Sequence, residues 1–140
     1  MIDINTLEVG DDLQSWTDDE LTVNRFMRYQ GASGDFNPIH HDTEFAQAAG
    51  FPGPFAVGML QMGTAASYLT ERFGVDGVKR LKVQWREQAW PHDVLTYSAT
   101  VVDVRDGEAD LDMRVTRQNG GIHLQGWATV VNPNPAGEAD

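Results

Sequence analysis

The sequence predicts an α+β domain in which a curved antiparallel sheet wraps around one long central helix. Residues 58–73 have helical length and are apolar on almost all sides, so they need cover from the rest of the chain. From residue 78 onward, apolar and polar residues alternate with period two, which is typical of strands with one buried face. With 140 residues, 41% of them hydrophobic, the chain can bury a core as one domain over 1–140, with an ordered part at about 7–131.

The N-terminal quarter predicts a strand followed by a helix. Residues 7–13 indicate a turn that leads into a first strand near 13–21, where the alternation is poor and acidic. Thr22 is a candidate N-cap for a helix that continues to about Gln30. One face of this helix would carry Val23, Phe26, Met27 and Gln30.

A second, shorter helix and a break precede the central helix. Thr43 is a candidate cap for a helix over 44–49, which the following glycine ends. The sequence Phe-Pro-Gly-Pro at 51–54 interrupts regular structure. We therefore expect the central helix to be an independent element that begins at Gly58 and stops at Gly74.

Four strands in an antiparallel meander are predicted after the central helix. They begin at Val78 and occupy about 78–86, 95–102, 111–116 and 122–131. Turn signals separate them at 91–93, 105–107 and 119–121, the last being Asn-Gly-Gly. The tail after Val131 is expected to fray.

Composition excludes several classes of function. A net charge of −11 disfavours a nucleic-acid partner, because such a partner needs a basic surface. The absence of cysteine excludes thiol nucleophiles, disulfides and thiolate metal sites. No apolar run has the length of a membrane span, and no secretory signal is visible, so we expect a cytoplasmic location without membrane contact.

Four of the ten basic residues cluster within eight positions: Lys79, Arg80, Lys82 and Arg86. In so acidic a chain, a local basic group can receive an anionic ligand. The alternative is a solvated strand face that binds nothing.

The residues that indicate chemistry form one short segment, Ser33-Gly34-Asp35-Phe36-Asn37-Pro38-Ile39-His40. Asn37-Pro38 disfavours a helix, which predicts a tight loop that carries Asp35 and His40, five residues apart. An imidazole can exchange a proton near neutral pH, and a nearby carboxylate can fix its tautomer or help to position a water molecule. The alternative is an Asx-type turn in which Asp35 caps the backbone and His40 merely packs.

This segment, followed by Asp42 and by Gly58-Met59-Leu60, resembles the hydratase motif of the MaoC-like (R)-specific enoyl-CoA hydratases. It is also similar to the related (3R)-hydroxyacyl-ACP dehydratase subunits. The resemblance covers about 7–131 and implies a hot-dog fold, in which a curved antiparallel sheet wraps around a long helix.

The resemblance implies a hydro-lyase that adds water reversibly, in syn fashion, to trans-2-enoyl thioesters of CoA or ACP to give (3R)-hydroxyacyl thioesters. Asp35 and His40 match the pair that holds the water, and Gly58 matches the glycine whose N–H binds the thioester oxygen. A helix N-terminus suits that role, because its free N–H groups stabilise negative charge. Asn37 and Ser33 are expected to support the loop.

The resemblance further implies chemistry without a metal or redox cofactor, and pairing of two hot-dog chains as a homodimer or heterodimer. The basic cluster would then contact the phosphates of CoA or the acidic face of a carrier protein. Two alternatives stay open: a heteromeric subunit with a mainly structural role, and a hot-dog acyl-CoA thioesterase.

Three positions depart from the family pattern. Val57 stands where many members have histidine, and Ala66 stands where a small hydroxyl residue is frequent, with Ser67 beside it. His92 replaces a glycine often used for positive φ, which suggests another type of turn.

Several other residues can be read in more than one way. His40 and His41 are adjacent, and adjacent side chains usually point apart, so we predict no metal site and expect His41 to support the loop. We predict no role for His123. Trp85 and Trp90 are expected to provide packing or a subunit contact, with a wall of the acyl pocket as the alternative.

Overall fold

The computed structural model describes residues 1–133 of the chain. Within these residues, three helices are present: α1 (Val23–Ser33), α2 (Thr43–Ala48) and α3 (Gly58–Phe73). Five strands of the described part of the chain form one sheet: β1 (Trp16–Thr17), β2 (Val78–Trp85), β3 (Leu95–Arg105), β4 (Glu108–Arg117) and β5 (Ile122–Val131). Single 3₁₀ turns occupy Ile4–Thr6, Pro38–His40 and Val75–Gly77. The predicted fraying of the tail concerns residues that lie mostly outside this range.

The sheet is antiparallel throughout, with the strand order β1-β3-β4-β5-β2. The meander is confirmed for β3, β4 and β5. It is wrong for β2, which pairs with β5 and not with β3. The connection after β2 is bound to the segment that precedes α3. Ala89 in this connection is fully buried, and its carbonyl accepts a 2.8 Å hydrogen bond from the Ala56 N–H. This connection therefore crosses between two distant strands and cannot close a hairpin.

The turn at 91–93 carries an unusual backbone conformation. His92 has φ 73°, so it adopts the left-handed conformation that a glycine would provide, and the expectation of another turn type is wrong. Its imidazole contacts the Glu20 carboxylate. The Leu21 carbonyl accepts a hydrogen bond from the His92 N–H at 2.8 Å, which fixes the turn against the segment before α1.

The core lies between the inner face of the sheet and helix α3. Alternate residues of β3 are buried, and buried side chains of β4 and β5 continue this face. Helix α3 packs against it with Gln61, Ala65, Tyr68, Leu69 and Phe73, which recur at helical spacing. The helix has the predicted bounds, from Gly58 to Phe73.

One expectation for α3 is only partly met. Met59, Gly63, Ser67 and Glu71, spaced four residues apart, are exposed in the single chain. The helix is therefore not covered on all sides, and an exposed stripe runs along its length. Met59, at the start of this stripe, is 51% exposed.

The N-terminal elements differ from prediction at their ends. Thr22 caps α1 as predicted, because its hydroxyl accepts a 3.1 Å hydrogen bond from the Arg25 N–H. The helix continues to Ser33, where Gly34 ends it with φ 77°. Met27 is 53% exposed and so does not belong to the buried face. The first strand is reduced to β1, beside an isolated bridge from Asp12 to Thr100.

Helix α2 is capped by a different residue from the one predicted. The Asp42 carboxylate accepts a 3.0 Å hydrogen bond from the Phe45 N–H, and Thr43 is already the first helical residue. A carboxylate at this position also interacts favourably with the positive end of the helix.

Candidate active site

The loop that carries Asp35 and His40 is built from consecutive side chain to backbone hydrogen bonds. The Ser33 hydroxyl accepts from the Asp35 N–H at 3.3 Å, and the Asp35 carboxylate accepts from the Asn37 N–H at 3.2 Å. The Asn37 side-chain oxygen Oδ1 then accepts from the Ile39 N–H at 3.1 Å. The Asx-type turn is thus present, and it leaves the Asp35 side chain exposed at the surface.

A buried amide joins this loop to helix α1. Gln30 is 2% exposed, and its side-chain N–H donates to the Asn37 carbonyl at 2.9 Å. Its carbonyl oxygen lies 2.8 Å from Nδ1 of His41, which donates to it. His41 therefore supports the loop through its own hydrogen bond to Gln30. The role of Gln30 was missed, although a glutamine on the predicted apolar face of α1 was the signal for it.

His40 has a defined tautomer. It is 8% exposed, and its Nδ1 lies 2.8 Å from the Phe55 carbonyl oxygen. A carbonyl oxygen can only accept, so Nδ1 carries the proton and Nε2 keeps its lone pair. The Phe55 ring packs edge-on against the imidazole at 5.3 Å between centroids. His40 is thus an oriented imidazole whose Nε2 can accept a proton.

Gly58 is the first residue of α3. Val57 precedes it as the N-cap, and its side chain provides no capping hydrogen bond because an isopropyl group has no acceptor; it is buried in the core at 2% exposure. The N-terminus of α3 therefore presents backbone N–H groups and partial positive charge without a side-chain cap. This also accounts for the departure at position 57, where valine contributes to packing.

Trp85 of β2 holds this helix start in place. Its indole N–H donates to the Gly58 carbonyl at 3.1 Å. A Cβ atom at Gly58 would lie 2.7 Å from the indole nitrogen, which is closer than such atoms approach, so the indole occupies the space of a side chain there. Trp85 was expected to provide packing or a subunit contact, and its hydrogen bond to the glycine was missed, because a sequence does not show which strand edge lies beside a helix start.

His40 and Gly58 line the same cavity, of about 200 Å³. The connection after β2 and the start of β5 complete its wall. The lining residues are His40, Phe55, Ala56, Gly58, Trp85, Arg86, Glu87, Gln88 and His123. Asp35 is not among them in the single chain. The structure thus brings two of the three predicted catalytic residues to one cavity and leaves the third on the neighbouring exposed loop.

The basic cluster does not form one site. Lys79, Arg80 and Lys82 line a separate cleft of about 810 Å³, where Lys79 pairs with Glu108 and Asp110 adds a further negative charge. Arg86 lies instead at the first cavity, and its guanidinium donates to the Gln125 side chain at 2.7 Å. The four residues therefore line two different cavities, because Arg86 follows the end of β2, and their contact with an anionic ligand stays a prediction.

A five-stranded antiparallel sheet that covers a long central helix is the architecture of the hot-dog fold, and here an oriented histidine lies at the N-terminal end of that helix. The chain belongs to the MaoC-like family: residues 5–120 match the family model described as MaoC like domain.

The chain is also similar to known proteins in sequence and to solved structures in fold. The chain is 32% identical over 80 residues to mouse peroxisomal multifunctional enzyme type 2, a match that covers 55% of this chain and 11% of that protein. The (R)-hydratase from A. caviae superimposes with a TM-score of 0.80 at 25% identity, covering 91% of this chain and 98% of that one. A chain of the ChsH1-ChsH2 complex from Mycobacterium tuberculosis gives 0.79 at 21% identity, covering 89% and 98%.

The curated relatives are much longer proteins, since the chain spans about a tenth or less of their length. Within residues 1–133, no helix combines the length and apolarity that a membrane crossing requires.

Proposed function

We propose that this chain is a hydro-lyase that hydrates trans-2-enoyl thioesters, carried by CoA or an acyl carrier protein, to (3R)-hydroxyacyl thioesters. The observation that carries the proposal is the shared cavity of His40 and Gly58, which pairs an oriented base with the N-terminus of α3. The (R)-hydratase from A. caviae, which aligns over almost its whole length, supports the same reaction class.

The proposed reaction uses the two groups at opposite ends of the conjugated system. The thioester oxygen would accept a hydrogen bond from the Gly58 N–H, so that negative charge collects on oxygen while water attacks the β carbon. His40 Nε2 is available to take a proton from that water. The pair of His40 and Asp35 would return a proton to the α carbon on the same face, so that one water molecule adds overall.

We also propose that the chain works as at least a dimer. Large apolar side chains are exposed on α1, on the catalytic loop, on α2 and at the start of α3: Met27, Phe36, Phe45 and Met59 are between 47% and 68% exposed. Strand β2 pairs on one side only within residues 1–133, and such an edge is available to a second chain. A partner chain would also cover the exposed loop of Asp35.

The Lys79, Arg80 and Lys82 cleft and the Arg86 side chain stay candidates for contact with an anionic carrier. A reaction without a metal or redox cofactor and a cytoplasmic location also stay predictions. Support of the loop by Asn37 and Ser33 is part of the proposal, and their hydrogen bonds in the loop are consistent with it.

The test is the loss of conjugated-thioester absorbance with crotonyl-CoA and with a longer 2-enoyl-CoA. Wild type should hydrate at least one of them, and Asp35→Asn or His40→Ala should lower the rate by about two to four orders of magnitude. Asp76→Asn is the matched control, because Asp76 is an exposed carboxylate on another turn, and its rate should equal that of wild type.

Three results would contradict the proposal. A folded wild type that is inert on both thioesters would exclude single-chain hydration of these substrates and direct attention to the heteromeric alternative. Release of free CoA in place of a hydroxyacyl product would indicate the thioesterase. Full rates in both Asp35→Asn and His40→Ala would remove the catalytic assignment while leaving the reaction class.

A further inference from the structure

His123 lies at an irregularity of the sheet. Val115 of β4 pairs with Leu124, whereas Thr116 pairs with Ile122, so His123 is an additional residue without a partner across the β4–β5 ladder. Such a β-bulge redirects the side chain that it carries, and bulges are frequent beside active sites. His123 is only 2% exposed, and it lines the cavity of His40 and Gly58.

The ring of His123 has one satisfied nitrogen and one unsatisfied nitrogen. Nδ1 lies 2.7 Å from the Glu87 carbonyl oxygen, so Nδ1 carries the proton and Nε2 offers a lone pair. Nε2 is buried and has no hydrogen-bond partner among residues 1–133. Burial lowers the pKa of His123 and outweighs the opposing effect of the Glu87 hydrogen bond, which favours the neutral form of the ring.

A buried acceptor without a partner destabilises the free protein, and native structures rarely retain one without a reason. Here the unsatisfied atom belongs to a residue that lines the candidate cavity, together with the residues proposed to act on the thioester. A hydrogen-bond donor carried by a bound ligand would satisfy this atom.

The chemistry of the substrate limits what that donor can be. The enoyl group and the thioester contain carbonyl oxygen, sulfur and carbon, and none of these donates a hydrogen bond. The carrier arm of a CoA or acyl carrier protein thioester provides its first donor beyond the sulfur and an ethylene unit, as an amide N–H. With the thioester at Gly58, this arm would run along the wall formed by Trp85 and the following residues.

We infer that Nε2 of His123 accepts a hydrogen bond from the amide N–H of the pantetheine arm, which makes His123 a specificity residue for pantetheine-borne thioesters. This inference rests on the proposed function. It assigns a role to a histidine for which the sequence predicted none, and it accounts for the neutral, oriented ring at the bulge.

The experiment compares two thioesters that differ only at the proposed donor. S-crotonyl-N-acetylcysteamine retains the amide N–H, and the analogue with an ester oxygen in place of N–H does not. Wild type should favour the amide substrate by about tenfold in kcat/KM, with most of the difference in KM. This is the effect expected for one hydrogen bond whose loss leaves a buried acceptor without a partner.

Two substitutions of His123 test the roles of its two ring nitrogens separately. His123→Asn keeps a donor near the Nδ1 position for the Glu87 carbonyl but removes the acceptor at Nε2. The ratio of kcat/KM for the amide substrate to that for the ester analogue should therefore fall to about one. His123→Gln places its carbonyl oxygen near the Nε2 position and should keep part of the preference. A general loss of folding would lower both substrates equally and would not change their ratio.

A second measurement does not depend on activity. The ¹⁵N resonance of His123 Nε2 should shift when saturated butyryl-N-acetylcysteamine binds to wild type, and it should not shift with the ester analogue. If Nε2 responds to the amide but no enoyl thioester is hydrated, the arm contact stands and the proposed function fails. If hydration occurs but neither the resonance nor the kcat/KM ratio distinguishes amide from ester, the inference about His123 is wrong.

Discussion

Replacement of Gly58 by alanine should reduce activity far more than stability. The added methyl group would lie 2.7 Å from the Trp85 indole nitrogen and 3.0 Å from a neighbouring ring carbon. The indole must move, because the helix backbone is fixed by its own hydrogen bonds. Its movement breaks the 3.1 Å hydrogen bond to the Gly58 carbonyl, and it displaces one wall of the cavity that His40 shares.

The expected change in stability is small because two terms oppose each other. Alanine in a helix interior is about 0.5–1 kcal/mol more favourable than glycine, and at this first helical position the gain is at most of that size. Loss of the indole hydrogen bond costs about 0.5–1.5 kcal/mol, and Trp85 is 43% exposed, so the ring can swing outward without a large cavity. The free energy of unfolding should therefore stay within about 1 kcal/mol of wild type, a shift of roughly 4 °C in Tm.

The expected change in activity is larger. Misalignment of a backbone donor that stabilises an oxyanion lowers kcat by about 10²–10³-fold. Gly63→Ala is the matched control, since Gly63 lies on the exposed stripe of the same helix with nothing within 4 Å of its Cβ position. Gly63→Ala should keep the rate of crotonyl-CoA hydration and raise stability by about 0.4–1 kcal/mol.

A double-mutant cycle identifies the cause. In a Trp85→Ala background the methyl group of Gly58→Ala has room, so the second substitution should cost little beyond the first, with a coupling energy of about 1–3 kcal/mol in kcat/KM. Equal and additive losses in both backgrounds would show that the indole is not responsible. A Gly58→Ala enzyme with the full rate of wild type would refute the placement of the thioester oxygen at this helix start.

Two further predictions concern stability. Burial raises the pKa of Asp93, but hydrogen bonds from Arg117, the Trp90 N–H and Gln118 together outweigh it, so the pKa is lowered. Because its pKa is lowered, the ionised Asp93 carboxylate stabilises the folded protein above the ordinary carboxyl value of 3.8, and this stabilisation is lost as the pH falls through the folded pKa. Arg117→Met should therefore cost about 3 kcal/mol at neutral pH in urea titrations, and the difference from wild type should shrink below that value; a constant difference down to pH 2 would contradict the ion pair. Asp42→Ala should destabilise α2 by about 0.5–2 kcal/mol in amide hydrogen exchange, whereas Thr43→Ala should have little effect, and the reverse order would return the cap to Thr43.

Features that depend on neighbouring residues were predictable from the sequence. The start and end of α3, the Thr22 cap and the last hairpin follow from local signals, because capping, glycine termination and Asn-Gly turns act over a few residues. The hot-dog class was also predictable, because a sequence motif and the order of helices and strands can be recognised without knowledge of any interatomic distance.

Features that depend on distant pairing were not predictable in the same way. The partner of β2 is β5, which lies about forty residues further along the chain, and only the packing of Ala89 beside Ala56 shows why the shorter hairpin cannot form. The same long-range pairing places Trp85 at Gly58. Period-two alternation cannot reveal such contacts, because it reports which face of a strand is buried and not which neighbour it has.

The bulge at His123 shows how these levels combine at the candidate site. Read by alternation alone, His123 belongs with Gln125 and Trp127 on the polar face of β5, where a histidine needs no role. One additional residue in the ladder removes it from that face and places it at the cavity. The same sheet that buries the core thus brings a residue from the end of the chain to the loop of His40, and a local departure from regular pairing gives that residue a chemical environment that the strand pattern does not indicate.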